Sequence, residues 1–469
     1  MKLYTIPLLM LLSMFGCKHV TTSTSDHIFI GGEIINPKND YVLLYLSESN
    51  VDTLYMNEHN RFSKRIEQVP AGLYTFTHGG EYQTILLEPN DSILFRLNTA
   101  DFDESLVFTG KGAKKNNYLI KRFLENEIDN KKFIDYCKLA PEEFEVFLNK
   151  KRREKLDNLD KFIKKKEPSE LFKSIAELSI NYNYYANKEI YPFGYYGNNK
   201  LIHFKDLPEG FYDFRKDINY NFEALQELFV YNRFLYSHFN NLALEHYYKD
   251  KDHHDVFNRN ALGYNVAKLE IMDSLITSEV IKNNLLKTTT KDFLFNSESR
   301  YESDKMLAAY SEITTNQADK MYMANLVTSL EKLKPGKDFP NITLVNFHDQ
   351  EIKINTLIKK PTVIFFWSSN FKMHYRNTHY KITNLKEQYP DMEFIAININ
   401  NDNKMHWKNT LSQSNYPTTN EYRFKFPAKA IQMLGINSVN KVIVVNKEGV
   451  IKNSNANMFD DTFDDYLEL

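Results

Sequence analysis

The chain has 469 residues, of which 42% are hydrophobic and 26% charged, a balance typical of globular domains with sizeable cores. A chain of this length is expected to form two or three domains. The 59 basic and 61 acidic residues nearly cancel, so the sequence predicts no nucleic-acid partner. After the first segment, no apolar run is long enough to predict a membrane-spanning helix.

The first segment has the features of a secretory signal peptide. Lys2 supplies a positive charge, Ile6 to Phe15 is apolar, and Gly16 and Cys17 follow. A small residue before a cysteine resembles the lipobox of bacterial lipoproteins, although Phe15 is bulkier than the residue usual there. The resemblance implies removal of residues 1–16, lipidation of Cys17, and a flexible tether at 17–26. A plain secretory signal with a chance cysteine is the alternative.

The sequence contains only two cysteines, so lipidation of Cys17 would leave Cys137 as the sole thiol. One thiol cannot form an intramolecular disulfide. Because Cys137 lies in a stretch with helical character, we expect it to be a buried structural residue.

Residues 27–110 are predicted to form an antiparallel, sandwich-like β domain. Seven short runs rich in β-branched and aromatic residues alternate there with turn signals such as Asn36-Pro37 and Pro89-Asn90.

In residues 111–332 the apolar residues have the spacing that is typical of helices. Pro141-Glu142-Glu143 favours a helix start, since acidic side chains are stabilised at the positive end of the helix dipole. A loop-rich segment is predicted at Tyr191–Phe214. Further helices are predicted at Ile175–Tyr185, Phe222–Phe239 and Val266–Leu286.

Residues 333–469 have the pattern of an α/β domain, beginning with the linker signal Leu333–Gly336. Buried strands are predicted around a polar helix, which implies a right-handed parallel crossover, and a β-hairpin and a closing helix follow. In order, these elements are Thr362–Trp367, His374–Tyr389, Glu393–Asn398, the hairpin Lys441–Lys452 and Asp460–Leu469.

This order of elements is that of thioredoxin, and four motifs resemble those of the membrane-anchored TlpA-type thioredoxin-like proteins. These motifs are Pro335–Pro340, Phe366–Ser369, Leu434–Ile436 and Asn446–Ile451. The β region also resembles the domain that often precedes such domains in lipoproteins of Gram-negative anaerobes. The resemblance implies a multidomain α+β protein: an N-terminal antiparallel β domain, a central helical region and a C-terminal thioredoxin-like α/β domain.

The sequence departs from this family at its redox motif. Phe371 stands at the position of the attacking cysteine and His374 at that of the resolving cysteine, with Lys372 and Met373 between them. Asn440 stands at the position of the family's cis-proline, where we expect a trans bond because a non-proline cis bond costs about 3 kcal/mol. Thiol–disulfide exchange needs an attacking thiolate, which Phe371 cannot supply.

Other chemistry has weaker support in the sequence. Ser368 and Ser369 lack the elbow motif of a serine nucleophile. Met373, His374 and His379 are possible copper ligands, but the two histidines are poorly spaced for one helix face. The acidic and histidine-rich cluster at 250–255 favours a solvated loop over a metal site. We therefore predict no catalytic residue, cofactor or metal site.

Aromatic residues are concentrated between positions 182 and 196. We expect these rings to pack between helices, with binding of a peptide or glycan as the alternative. They are Tyr182, Tyr184, Tyr185, Tyr191, Phe193, Tyr195 and Tyr196.

The sequence therefore predicts a redox-inactive envelope lipoprotein that acts in binding or scaffolding. Its lipid would hold it at the membrane, with the outer membrane facing the periplasm as the expected location, and an envelope protein or peptide as the partner. The alternative is a periplasmic thiol–disulfide oxidoreductase that works with the thiol of a partner. Non-redox enzymology in the aromatic central region has no motif in its favour.

Overall fold

The computed structural model describes residues 27–47, 50–195, 206–249, 257–400 and 404–468. Residues 1–26, with the signal peptide, Cys17 and the tether, lie outside the described residues, as does the cluster at 250–255. No helix in the described ranges is long and apolar enough to span a membrane. The described chain contains an N-terminal β domain, central helices and a C-terminal α/β domain, which confirms the expected fold class.

The N-terminal domain packs two four-stranded sheets face to face, with strand orders β4-β1-β7-β8 and β3-β2-β5-β6. Side chains of both sheets point inward between them, among them Ile28 and Ile30 of β1 and Phe95 of β7. The strands are β1 (His27–Ile35), β2 (Tyr41–Tyr45), β3 (Val51–Tyr55), β4 (Arg61–Glu67), β5 (Gly72–His78), β6 (Glu81–Leu87), β7 (Ser92–Asn98) and β8 (Val107–Lys111).

One strand pair differs from the predicted antiparallel pattern. Strands β1 and β7 pair in parallel, with Phe29 opposite Ser92 and Ile35 opposite Asn98. A parallel pair needs a long crossover connection, and the intervening strands β2 to β6 provide it.

Nine helices are described in the central region, and four of them start with a side-chain cap. Ser169, Ser278, Ser299 and Asn316 each accept a hydrogen bond from a backbone N–H in the first turn. The helices are α1 (Ala113–Lys131), α2 (Phe133–Tyr136), α3 (Pro141–Lys166), α4 (Glu170–Gly194), α5 (Phe229–Tyr248), α6 (Leu262–Leu275), α7 (Glu279–Asn296), α8 (Arg300–Ile313) and α9 (Gln317–Lys332).

Helix α4 extends past the predicted start of the loop-rich segment at Tyr191. Its Pro192 lies in the last turn of the helix, so the prediction of a loop at 191–194 was wrong. The aromatic tract belongs to the core: Tyr182 and Tyr184 are buried, and Tyr191 stacks on Phe144 with ring centroids 3.9 Å apart. These rings therefore pack between helices, as we expected, while Tyr196 lies outside the described residues.

The C-terminal domain is built on a seven-stranded mixed sheet of order β10-β9-β13-β12-β11-β14-β15. All residues of β11 are buried because helices cover both of its faces. The elements are β9 (Thr343–Asn346), β10 (Glu351–Lys353), β11 (Thr362–Trp367), α10 (Lys372–Gln388), β12 (Glu393–Asn398), α11 (Lys404–Gln413), β13 (Glu421–Phe424), α12 (Pro427–Met433), β14 (Lys441–Val445) and β15 (Ile451–Asn457).

The predicted crossover and hairpin are present in this sheet. Strand β11 precedes α10 in the sequence and β12 follows it, and the two strands pair in parallel. Strand β14 pairs antiparallel with β15. The closing helix expected at Asp460–Leu469 is a short 3-10 helix at Phe463–Tyr466, where Phe463 is buried against the domain core.

Candidate functional site

The turn between β11 and α10 carries the positions at which the sequence predicts a substituted redox motif. Ser368 and Ser369 are buried there, and the backbone N–H of Ser369 donates to Asn400 Oδ1 at 2.8 Å. Asn398 Nδ2, at the end of β12, donates to Ser369 Oγ at 3.2 Å. These bonds fix the turn to the neighbouring strand, so both serines act as polar groups that shape the loop.

The first residues of α10 are exposed. Phe371 N–H donates to the carbonyl of Ser368 at 3.1 Å, which closes the turn, and the Phe371 side chain is 47% exposed. Lys372 is exposed, and Met373 is 70% exposed. The position predicted to correspond to the attacking cysteine therefore presents an apolar ring to solvent, with no nucleophilic atom.

The structure brings His374 and Asn440 together, although 66 positions separate them in the sequence. Burial lowers the pKa of His374, as does the nearby His379, and the Asn440 side chain raises it slightly. The His374 ring also meets Phe459 edge to face, with centroids 6.2 Å apart. No cis peptide bond occurs in the described ranges, so the bond before Asn440 is trans. His374 and Asn440 thus lie side by side on one surface.

Cys137 lies in the central helical region, away from this surface. It is fully buried against Phe133, Phe144 and Tyr191, and burial raises the pKa of its thiol to about 12. A Cβ atom added to Gly194 would come within 2.7 Å of the Cys137 sulfur, so helix α4 closes over the thiol. A thiol in this environment is a packing group.

Sequence reasoning missed a buried pair, His379 and Glu421, that joins α10 to β13. His379 Nε2 lies 2.8 Å from Glu421 Oε1, and Trp367 Nε1 donates to Glu421 Oε2 at 3.1 Å. The ring of Tyr416 stacks on His379 with centroids 4.1 Å apart. No signal in the sequence links His379 to Glu421, because 42 positions separate them and neither belongs to a spaced motif.

Hydrogen bonding restricts the protonation of this pair. His379 Nδ1 lies 2.7 Å from the carbonyl of Tyr375, which can only accept, so Nδ1 carries a proton. The contact of His379 Nε2 with Glu421 Oε1 also needs a proton between the two atoms, because otherwise two lone pairs would face each other. Burial raises the pKa of Glu421, while the hydrogen bond from His379 opposes that rise. Since His379 directs both ring nitrogens to protein atoms, it is not available for the copper site considered above.

A cleft of about 810 Å³ opens beside this pair, between α10 and the segment 413–421. Its walls include Phe365 and Phe394 of the sheet, His379 and Tyr380 of α10, and Tyr416. The cleft reaches the positions predicted to replace the redox motif, because Lys372 and Met373 also line it.

The β domain borders the same surface from the other side. In the two-residue turn between β5 and β6, a Cβ atom on Gly80 would come within 2.7 Å of Asn370 Nδ2. Burial lowers the pKa of Lys38 in the β domain, and repulsion from Lys372 lowers it further. The first turn of α10 therefore lies between the β domain and the cleft.

A thioredoxin-like family model matches residues 359–451, from just before β11 to the start of β15. Together with the strand order, the match establishes a thioredoxin-like C-terminal domain. No curated protein matches the chain.

Solved bacterial structures align with part of the chain. The thioredoxin domain of a thiol-disulfide oxidoreductase from Bacteroides vulgatus is 16% identical, with 29% of this chain and 99% of that chain covered and a TM-score of 0.25. A thiol:disulfide interchange protein from Bacteroides sp. is 18% identical, with 26% and 80% covered and a TM-score of 0.23. At these identities the likeness concerns the fold alone.

Proposed function

We propose that the protein is a redox-inactive, TlpA-type thioredoxin-like lipoprotein that binds or scaffolds another envelope component. The observation that carries the proposal is the exposed Phe371 ring at the position where the family's chemistry needs a thiolate. His374 cannot replace the second thiol, because an imidazole cannot form the disulfide that releases the substrate.

The chain's thiols support this proposal. In the described ranges the free cysteine is Cys137, whose burial raises its pKa to about 12. At neutral pH a thiol of this kind is almost wholly protonated, and the thiol form does not attack disulfides. Cys17 would carry the lipid that holds the protein at the cell envelope, with the outer membrane facing the periplasm as the proposed location.

Exposed apolar side chains favour a binding role for the surface around α10. Phe371, Met373 and Tyr380 are 47%, 70% and 72% exposed, and Phe459 next to His374 is 40% exposed. Aromatic residues and methionine are enriched where proteins bind one another. A protein or peptide of the envelope is therefore the proposed partner.

Insulin reduction with dithiothreitol as electron donor tests the proposed lack of redox activity. We expect the purified full-length chain and its Cys137→Ala variant to show the same rate as buffer alone. The matched control is the double variant Phe371→Cys/His374→Cys, which restores a thiol pair in the same frame and is expected to accelerate the reaction. Catalysis by the wild type that disappears in Cys137→Ala would refute the proposal.

A thiol–disulfide oxidoreductase working with a partner's thiol is the second candidate, favoured by the thioredoxin-like family match at 359–451. It requires Cys137 to form a mixed disulfide with the partner. In a Cys17→Ala background, we expect a thiol reagent to label Cys137 only after unfolding in urea. Rapid labelling of the folded protein, or a trapped mixed disulfide at Cys137, would favour this candidate over the first.

A further inference from the structure

The cleft beside α10 is a groove that follows the helix. Residues that line it extend from Lys372 to Lys386, a distance of roughly 21 Å at the rise of an α-helix. The opposite wall is the segment 413–421, and the strands β11 and β12 form part of the floor through Phe365 and Phe394. The groove is therefore long enough for an extended peptide of about six residues.

The exposed charged side chains that line the groove are all positive. Lys372, Arg376 and Lys386 line it and are exposed, and in the described chain no carboxylate lies within ion-pair distance of them. The carboxylate among the lining residues is Glu421, which is 5% exposed and has both oxygens occupied by His379 and Trp367. The rim thus offers three cations to a ligand, without a competing exposed acid.

Apolar groups lie between these cations. Met373 and Tyr380 are two helical turns apart on the groove side of α10 and are 70% and 72% exposed. Tyr416, held in place by its stacking on His379, faces them from the other wall. Cations and exposed apolar side chains alternate along the groove, a spacing that suits an extended chain better than one compact anion.

We propose that this groove binds an acidic peptide segment in extended conformation, with carboxylates at Lys372, Arg376 and Lys386 and apolar side chains at Met373 and Tyr380. The inference rests on the proposed binding function and specifies the chemistry of its partner. The buried pair of His379 and Glu421 acts as a positioning element, since it fixes α10 against β13 and holds the Tyr416 ring in the groove wall.

Fluorescence anisotropy on the full-length chain in detergent tests the proposal. The probe is a labelled peptide of about six residues that alternates acidic and aromatic residues, and the comparison peptide has lysine at each acidic position. We expect the acidic peptide to bind, the basic peptide not to bind, and the affinity for the acidic peptide to fall with added salt. Equal binding of both peptides, or no binding of the acidic peptide, would overturn the inference.

Two double variants locate the binding site. Arg376→Glu/Lys386→Glu reverses the rim and is expected to weaken binding by at least about tenfold. Lys359→Glu/Lys360→Glu makes the same change in net charge on exposed residues outside the groove, and we expect the affinity to stay within about twofold of the wild type. Thermal unfolding verifies that both variants fold, and Arg376→Gln/Lys386→Gln replaces the first if it does not. Equal weakening in both doubles would overturn the proposal.

Competition with inorganic pyrophosphate distinguishes a peptide groove from a site for small anions. We expect pyrophosphate to displace the peptide only at concentrations where added salt of equal ionic strength does the same. Full displacement at lower concentrations would assign the site to a compact anion and overturn the peptide inference. Neither result bears on redox inactivity, which the insulin assay tests separately.

Discussion

Lys268 illustrates how burial changes the charge of a single side chain. It lies on α6 and is 4% exposed, with Nζ 3.3 Å from Asn265 Oδ1 and 4.5 Å from the centre of the Tyr264 ring. Burial lowers its pKa to about 7, with a smaller opposing effect from Asp292 and a smaller lowering from Arg259. The ammonium form is disfavoured because the site offers it no ion-pair partner within 4 Å in the described ranges.

The stability of the protein should therefore rise with pH above about 7. Between pH 7 and the ordinary lysine value near 10.5, the unfolded chain keeps the Lys268 proton that the folded chain has released. Since the unfolded state binds more protons, the free energy of unfolding increases, by up to roughly 1.4 kcal/mol per pH unit. Urea unfolding at several pH values measures this slope.

Lys268→Met should remove that part of the pH dependence and raise stability at pH 7, because it deletes the buried amine and keeps an unbranched apolar side chain. Lys305→Met is the control, since Lys305 is exposed on α8. Parallel pH profiles for the wild type and Lys268→Met would contradict the assignment. Burial also lowers the pKa of Lys441, to about 8, and this residue makes the same contribution to the pH dependence of both proteins.

At the scale of elements, the turn between β5 and β6 has a conformation that few residues can adopt. Gly79 and Gly80 have φ of 62° and 91°, the pattern of a two-residue hairpin turn that requires positive φ at both positions. The turn also places Gly80 against Asn370 of the thioredoxin-like domain. The glycine pair that favours a tight hairpin turn thus also lies at a contact between the two domains.

Gly80→Ala should destabilise the protein through two effects. A side chain at positive φ costs roughly 1–2 kcal/mol, and the new Cβ atom would also press on Asn370 at 2.7 Å. Gly449→Ala is the matched control, because Gly449 has a φ of 82° but no atom within 4 Å of an added Cβ. We expect the unfolding midpoint to fall further for Gly80→Ala than for Gly449→Ala. Equal losses would mean that the added Cβ atom costs nothing against Asn370.

For the whole molecule, a lipid anchor at Cys17 would determine where the protein acts. Cys17 and the tether that would follow it lie outside the described residues, so the lipid stays a prediction from the sequence. In the source cells, labelled palmitate should enter the wild-type protein and not the Cys17→Ala variant, because the acyl chains attach to that cysteine and to its amino group. Unchanged incorporation in Cys17→Ala would refute lipidation at this residue.

Much of the architecture follows from local patterns. Thr362–Trp367 and Glu393–Asn398 were predicted with the bounds that the structure gives to β11 and β12, because continuous apolar runs of that length mark buried parallel strands. The strands β8, β9, β10 and β13 were not predicted; β9, β10 and β13 have only three or four residues, which carry too little periodicity to separate a strand from a loop. The bounds predicted for the last helix were also wrong, because burial of Phe463 against the core determines the conformation of that segment.

The sequence by itself supplied the prediction that Phe371, His374 and Asn440 are substituted redox positions, because each is placed by its order within a motif. Only the tertiary structure decided what surrounds them. The pairing of His379 with Glu421, the positive groove along α10 and the contact of Gly80 with Asn370 all join residues distant in the chain. Local patterns record the periods of helices and strands, whereas a site depends on which faces of those elements the folded core brings together.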